Sequence, residues 1–256
     1  VNTADAAAPA MQITVAIALH ASSRWVDTIV ANVRALPPLV TEVIVSDRSC
    51  VDDAARQVRA RLADDPRVRV IAEASGWGWE RHYQWLIEQA RGEFFMWMPH
   101  DDYFPSDWVP CLAETLQAHP HAWLAFGRIE LVEIDGRTPT ALPDMNVYSP
   151  GPVTTRQAVD ALIAARMGVP FRGLCRRQPI LEAGIRMRAW RWYRGADQLW
   201  NLAVAVRGGM VHDPRTTTRK RMFAESLSAG FSTPSWGRTW HALRQIPLGG
   251  TAHARL

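Results

Sequence analysis

Short apolar runs alternate with helical stripes along the first half of the chain. "ITVAIAL" (13–19) is a continuous apolar run rich in branched side chains, which predicts a buried strand. Ser22 and Ser23 can cap a helix, and Val26, Ile29, Val30 and Val33 recur at helical spacing until "LPP" stops it. "EVIVSD" (42–47) predicts a second strand, and a helix comes after it carrying Ala55, Val58 and Leu62. "RVRVIAE" predicts a third strand, and Tyr83, Leu86, Ile87 and Ala90 mark a third helix that Gly92 ends. "FFMWM" predicts a fourth strand. A helix with Val109, Leu112, Ala113 and Leu116 comes next, and then "WLAFG" as a further strand. This alternation predicts a doubly wound, mostly parallel sheet with helices on both faces. Right-handed crossovers would place the strand C-termini on one edge, where open α/β sheets bind ligands. Asp47 and the pair Asp101–Asp102 would then share that rim.

Beyond residue 127 the pattern loosens. "DGRTPTALPDMNVYSPGP" (135–152) reads as a long, mobile or functional loop. After it come a helix over 156–167, a short strand near "PFRGLC", a helix from Ala196 to Val206, a short strand at "GMVHD" and a polar tail. The expected division is a lead-in over 1–11, a first half over 12–127, and an extension of the same domain over 128–256.

Composition adds little to the fold but bounds the partners. The 256 residues are 48% hydrophobic and 21% charged, an ordinary globular balance. No apolar run approaches the roughly 20 residues that span a bilayer. Cys50, Cys111 and Cys175 form neither a disulfide framework nor a zinc pattern, which predicts a reducing, cytoplasmic setting. "VNTADAAAPAM" lacks the features of a signal peptide. Net charge is +4, almost all of the positive charge is Arg, and the excess sits late, at 186–194 and 215–221. A solvated basic surface, a diphosphate site, a membrane surface and nucleic acid are all compatible with it.

The chemistry concentrates in "FFMWMPHDDYFPSDW" (94–108). Adjacent carboxylates repel, and burying one unpaired costs on the order of several kcal/mol. Two carboxylates without cysteine suit a hard cation, Mg²⁺ or Mn²⁺, that completes its shell with water and substrate phosphates. A simple Asp turn is the plainer alternative.

The order "ITVAIALHASSRW", "EVIVSDRSCVDD", "QARGEFFMWMPHDDYFPSDW" resembles family 2 glycosyltransferases of the GT-A fold, well over residues 12–135 and more weakly to about 225. The resemblance implies an inverting transferase. It would move a sugar from a nucleotide diphosphate donor, UDP- or dTDP-linked by preference, to a hydroxyl of a saccharide, lipid or small molecule. Leu19, His20 and Ala21 would lie along the nucleotide. Asp47 matches the family's base-binding acid, although Ser46 and Arg48 replace its usual neighbours. Asp101 and Asp102 match the end of the metal motif, with Pro99 or His100 in place of the leading acid. Asp197 in "WYRGADQLW" matches the segment carrying the general base; a plain helix-start Asp is the alternative. Arg219 and Arg221 would face the diphosphate, and Arg81 would lie near the nucleotide. Met222 stands where some members place a histidine ligand, leaving His212 as a substitute. The aromatic stretch "GWGWERHYQW", the 135–152 loop and the Arg/Trp stretch 186–194 would shape the acceptor side. Peripheral membrane contact through 186–194 stays open, and nucleic acid is not expected. A sugar-nucleotide-forming nucleotidyltransferase is a second reading, against which the glycine-free "ALHASSRW" speaks. A degenerate GT-A or basic binding module is a third.

Overall fold

The computed structural model describes residues 11–164, 166–188 and 195–223. Eight strands form one sheet: β1 (Ile13–Leu19), β2 (Val40–Asp47), β3 (Val68–Ala72), β4 (Phe94–Trp97), β5 (Leu124–Val132), β6 (Gly151–Val153), β7 (Leu174–Arg176) and β8 (Met210–Arg221). Their order is β3-β2-β1-β4-β7-β5-β8-β6. β1 pairs in parallel with β2 and β4, β2 with β3, and β5 with β8. β7 runs antiparallel between β4 and β5, and β6 antiparallel to β8. β5 and β8 therefore point the same way as β1, β2 and β4, and their C-termini reach one rim.

The all-buried β1 explains its unbroken apolar run, since both faces of this strand are covered. One face packs α1 (Val26–Arg34), α2 (Ala54–Arg61) and α4 (Trp108–Ala118) on Val15, Ile17, Val43, Val45 and Met96. The other packs α3 (Trp79–Gln89), α5 (Thr155–Ile163), α6 (Arg177–Glu182) and α7 (Ala196–Gly208) on Ala16, Phe95, Trp97, Phe126 and Ile129. α5 starts with a reciprocal cap: Gln157 N donates to Thr154 Oγ1 at 3.2 Å and Thr154 N to Gln157 Oε1 at 2.9 Å. Gly92 does more than end α3. A Cβ there would stand 2.7 Å from Thr14 N, so only glycine lets the backbone pass under β1.

The second half departs from the expected pattern. "PFRGLC" is a 3-10 turn (Val169–Arg172) followed by the three-residue β7. The "GMVHD" strand continues through the basic run, so 215–221 lies in a strand and not in a loop. β8 pairs twice with β5: Leu124–Phe126 with Met210–His212, then Arg128–Val132 with Thr217–Arg221. Residues 213–216 make an excursion between the two stretches, where β5 has only Gly127. The 135–152 segment is tied to β5, because Asn146 exchanges hydrogen bonds with Ile129 N (2.9 Å) and Ile129 O (2.8 Å). Tyr148 is buried against Phe126 and His212. The 127/128 division falls inside β5. Residues 189–194 of the Arg/Trp stretch, and the lead-in except for Met11, lie outside the described residues.

Candidate active site

The rim begins where β1 and β2 end side by side, with Leu19 opposite Asp47. Asp47 is buried, and its Oδ1 accepts from Ser49 N (2.9 Å), Ser49 Oγ (2.9 Å) and Cys50 N (2.8 Å). Oδ2 accepts nothing from the described residues. Ala21 and Cys50 both have left-handed backbones, at φ 47° and 49°, on either side of this corner. Such conformations cost on the order of 1 kcal/mol and persist where surrounding contacts enforce them. His20 is exposed here.

Arg48, in place of a glycine, turns away to Glu73 (2.7 Å) and lies over Trp85 and Trp77, at 4.1 and 4.8 Å from the ring centroids. Arg81 stacks on the same Trp77 at 4.4 Å. His82 Nε2 meets Ser46 Oγ at 2.9 Å. Burial, helped by Arg48, pushes this imidazole down to about 4. The tryptophans of "GWGWERHYQW" thus hold arginines at the β2 and β3 ends.

The two carboxylates after β4 part company. Asp101 stays at the rim, half-exposed, and its carboxylate accepts no hydrogen bond from the described residues. Asp102 is fully buried. Its Oδ2 accepts from Arg172 Nε at 2.6 Å and its Oδ1 from Arg221 N at 3.3 Å. Burial raises its pKa even so, with the Arg172 guanidinium opposing. Asn32 holds the turn, donating Nδ2 to Asp102 O at 2.8 Å. His100 Nδ1 lies 3.0 Å from Ala18 O and 3.3 Å from Ser22 Oγ. A carbonyl only accepts, so Nδ1 carries the proton.

β8 sorts the basic residues by alternation. Arg219 lies over the Tyr103 ring and donates to Gly136 O at 3.1 Å. Arg221 lies over Tyr103 and Trp25 and donates to Asp101 O at 2.5 Å and Thr28 Oγ1 at 3.2 Å. Both arginines expected at the diphosphate are thus engaged on the Tyr103 side. Lys220 points to the opposite face. Its register partner Leu131 packs on the cluster that contains Ala196 and Trp200. There the Lys220 ammonium is in electrostatic reach of Asp102, Asp101 and Asp197, and burial together with Arg172 lowers its pKa.

Asp197 sits in the first turn of α7, next to Gly168, on this same face. Burial raises its pKa, while the Gln198 N–H and Arg172 oppose the rise. Tyr83 from α3 feels Asp101, Arg172, Asp102 and Asp197, and burial pushes its phenol up. Behind them Trp97 stacks on Phe171 at 4.9 Å and meets Trp200 edge-on at 4.8 Å. The structure therefore gathers Asp101, Asp102 and Asp197 around two cations, Arg172 and Lys220. Neither cation was selected for a role from the sequence. Arg172 belongs to no motif; Lys220 was legible only through strand parity.

This donor set does not fit a metal held by the protein. Asp102 is spent on Arg172, Met222 replaces the histidine, and His212 lies against Phe126 with Nδ1 on Ser149 O at 3.3 Å. Among the described residues no three of His, Cys, Asp and Glu come together to bind an ion. The Lys220 ammonium already acts on Asp101 and Asp102 through space.

The sequence model of glycosyl transferase family 2 matches residues 14–180. The crystal structure of residues 1–349 of S. aureus TarS in complex with UDP-GlcNAc aligns with a TM-score of 0.70 at 17% identity, over 91% of this chain and 65% of that one. The structure of the same TarS fragment without that ligand aligns at 0.67 and 16%, over 82% and 60%. The Pyrobaculum calidifontis mannosyltransferase PcManGT, in complex with GDP-Man and Mn²⁺, aligns at 0.59 and 14%, over 85% and 59%. The chain thus spans about 60% of the length of these structures. No curated protein sequence matches it. The structural likenesses show the GT-A glycosyltransferase fold. Among the described residues no helix is long and apolar enough to cross a membrane.

Proposed function

The chain belongs to glycosyl transferase family 2, and from that premise we propose that it transfers a sugar from a nucleoside diphosphate donor to an acceptor hydroxyl with inversion. One observation carries the reading: Lys220 lies within electrostatic reach of Asp197 and of Asp101, the carboxylate that follows β4 beside the strand that ends at Leu19. A nucleotide lying along Leu19, His20 and Ala21 sets its base at Asp47 and its diphosphate towards Asp101. A carboxylate only accepts, so Asp47 Oδ2 can take the ring N–H of uracil, thymine or guanine, whereas adenine has a bare ring nitrogen at that edge and offers only its exocyclic amine. The UDP, UDP-GlcNAc and GDP-Man bound by the similar proteins support that class.

In the transfer the acceptor oxygen bonds to the anomeric carbon as the bond from that carbon to the diphosphate oxygen breaks. The bonding pair leaves with the diphosphate. The hydroxyl proton passes to the Asp197 carboxylate, whose raised pKa makes it a stronger base than an exposed Asp. Tyr83, Phe171 and the tryptophans behind them form the apolar wall beside this base. Arg81 lies near the nucleotide end. Arg219 and Arg221 brace the turn that carries Asp101. A divalent metal has the support of PcManGT alone, and no step is assigned to it.

Calorimetric titration with UDP, dTDP, GDP and ADP tests the reading. A ring-N–H nucleotide should bind and ADP should not, and Asp47→Ala should abolish the preference. Failure of all four to bind would sink the transferase assignment.

A further inference from the structure

We propose that Lys220 is the fixed cation that receives the donor's diphosphate, in the role a divalent metal would otherwise fill. The inference rests on the transferase reading and deepens it. Lys220 is the only lysine in the chain, against 28 arginines. β8 carries three consecutive basic residues, and parity gives each face a different set. The arginines close over Tyr103 and the Asp101 carbonyl. The lysine is set on the carboxylate face, where Leu131 beside it packs toward α7.

The acid count agrees. Of the two adjacent carboxylates, Asp102 is neutralised inside the protein by Arg172 and by the Arg221 N–H. That pair positions Asp101 on one side and β8 on the other, because the Arg221 amide comes directly after Lys220 in the chain. Asp101 is left in the field of Lys220 without a second carboxylate beside it to hold a dication. A compact ammonium with three donors on a flexible stem suits phosphate oxygens as a point charge. An arginine fork at this place would compete for Asp101 and Asp102 as a bidentate partner.

The test uses the full chain and needs no acceptor. Binding of UDP, dTDP and GDP is measured by calorimetry in EDTA and again with Mn²⁺, for wild type, Lys220→Met and Lys220→Arg. Wild type should bind its nucleotide in EDTA, with little gain from Mn²⁺. Lys220→Met should weaken the diphosphate by about 10- to 100-fold while leaving the parent nucleoside unchanged. Lys220→Arg should recover part of the loss.

A second measurement avoids mutation. Reductive methylation with ¹³C-formaldehyde labels only Lys220 and the chain's α-amine. The Lys220 resonance should shift with nucleoside diphosphate in EDTA and stay still with nucleoside. Binding that appears only with Mn²⁺ and is lost in Asp101→Asn would overturn the inference. It would return the site to a metal that binds with the nucleotide at Asp101. Binding in EDTA that Lys220→Met leaves intact would overturn it as well. No nucleotide binding under any condition would instead bring down the transferase reading on which it stands.

Discussion

At the scale of single residues, Asp101 and Asp102 show how little adjacency says about role. One is a rim carboxylate and the other is buried under Arg172. The motif was legible; the division of labour was not, because it depends on Arg172, which arrives from seventy residues later in the chain. Asp197 makes the sharpest prediction. Asp197→Asn should cut transfer by about 10²- to 10⁴-fold, the usual worth of a general base. Nucleotide affinity, read by calorimetry, should not change. Turnover that survives would put the base elsewhere. His82 predicts a pH dependence of stability. Its imidazole titrates at about 4 in the folded chain against 6.5 when free. Between those values the unfolded chain binds the proton and the native chain does not. Stability is therefore whole above about 6.5 and falls as pH drops toward 4, by on the order of 3 kcal/mol. Denaturant melts of His82→Gln, which keeps a partner for Ser46, should lose this component.

At the scale of elements, the first half was readable because its central strands β1, β2 and β4 are largely apolar runs covered on both faces. Each helix in it shows one clear stripe. β7 was not readable: three residues cannot display a period, and nothing local announces that the strand runs backwards between β4 and β5. β8 was hidden by its own composition, since "TTTRKR" looks like loop chemistry until its pairing with β5 is known. The approach of β7 to β5 hangs on Gly173. A Cβ there would fall 2.4 Å from Ala125 O and 2.9 Å from Pro170 O, both backbone. Gly173→Ala should cost about 1–3 kcal/mol by forcing these strands apart. Because Arg172 is the preceding residue, nucleotide affinity should fall with it. Unchanged melting and binding would show that the backbone yields more easily than this packing implies.

At the scale of the whole molecule, the site belongs to neither half. Asp47 and Asp101 come from the ends of β2 and β4, the proposed base Asp197 from α7, and Arg172 and Lys220 from the Val169–Arg172 turn and β8. The sheet closes only when the late β7 enters between β4 and β5. A fragment of residues 12–127 leaves β4 without that neighbour and exposes Phe95 and Trp97. It should therefore show no cooperative thermal transition by circular dichroism, while the full chain should. A sharp transition in the fragment would mark it as an autonomous domain.

The excursion at 213–216 carries a consequence of its own. It uncouples the two pairings of β8 with β5, so residues gained or lost at its exposed tip, Pro214 and Arg215, lengthen a bend and leave both registers as they are. It is a buffer against insertion. Beyond it no such buffer exists. One residue added between Thr217 and Lys220 would turn the strand's odd positions into even ones. The lysine would then face Tyr103 and an arginine would face the carboxylates, with the chain's charge unchanged or nearly so. If Lys220 receives the diphosphate as proposed, what this rim recognises is written as a parity, and the tolerance of the segment to change should drop sharply at Thr217.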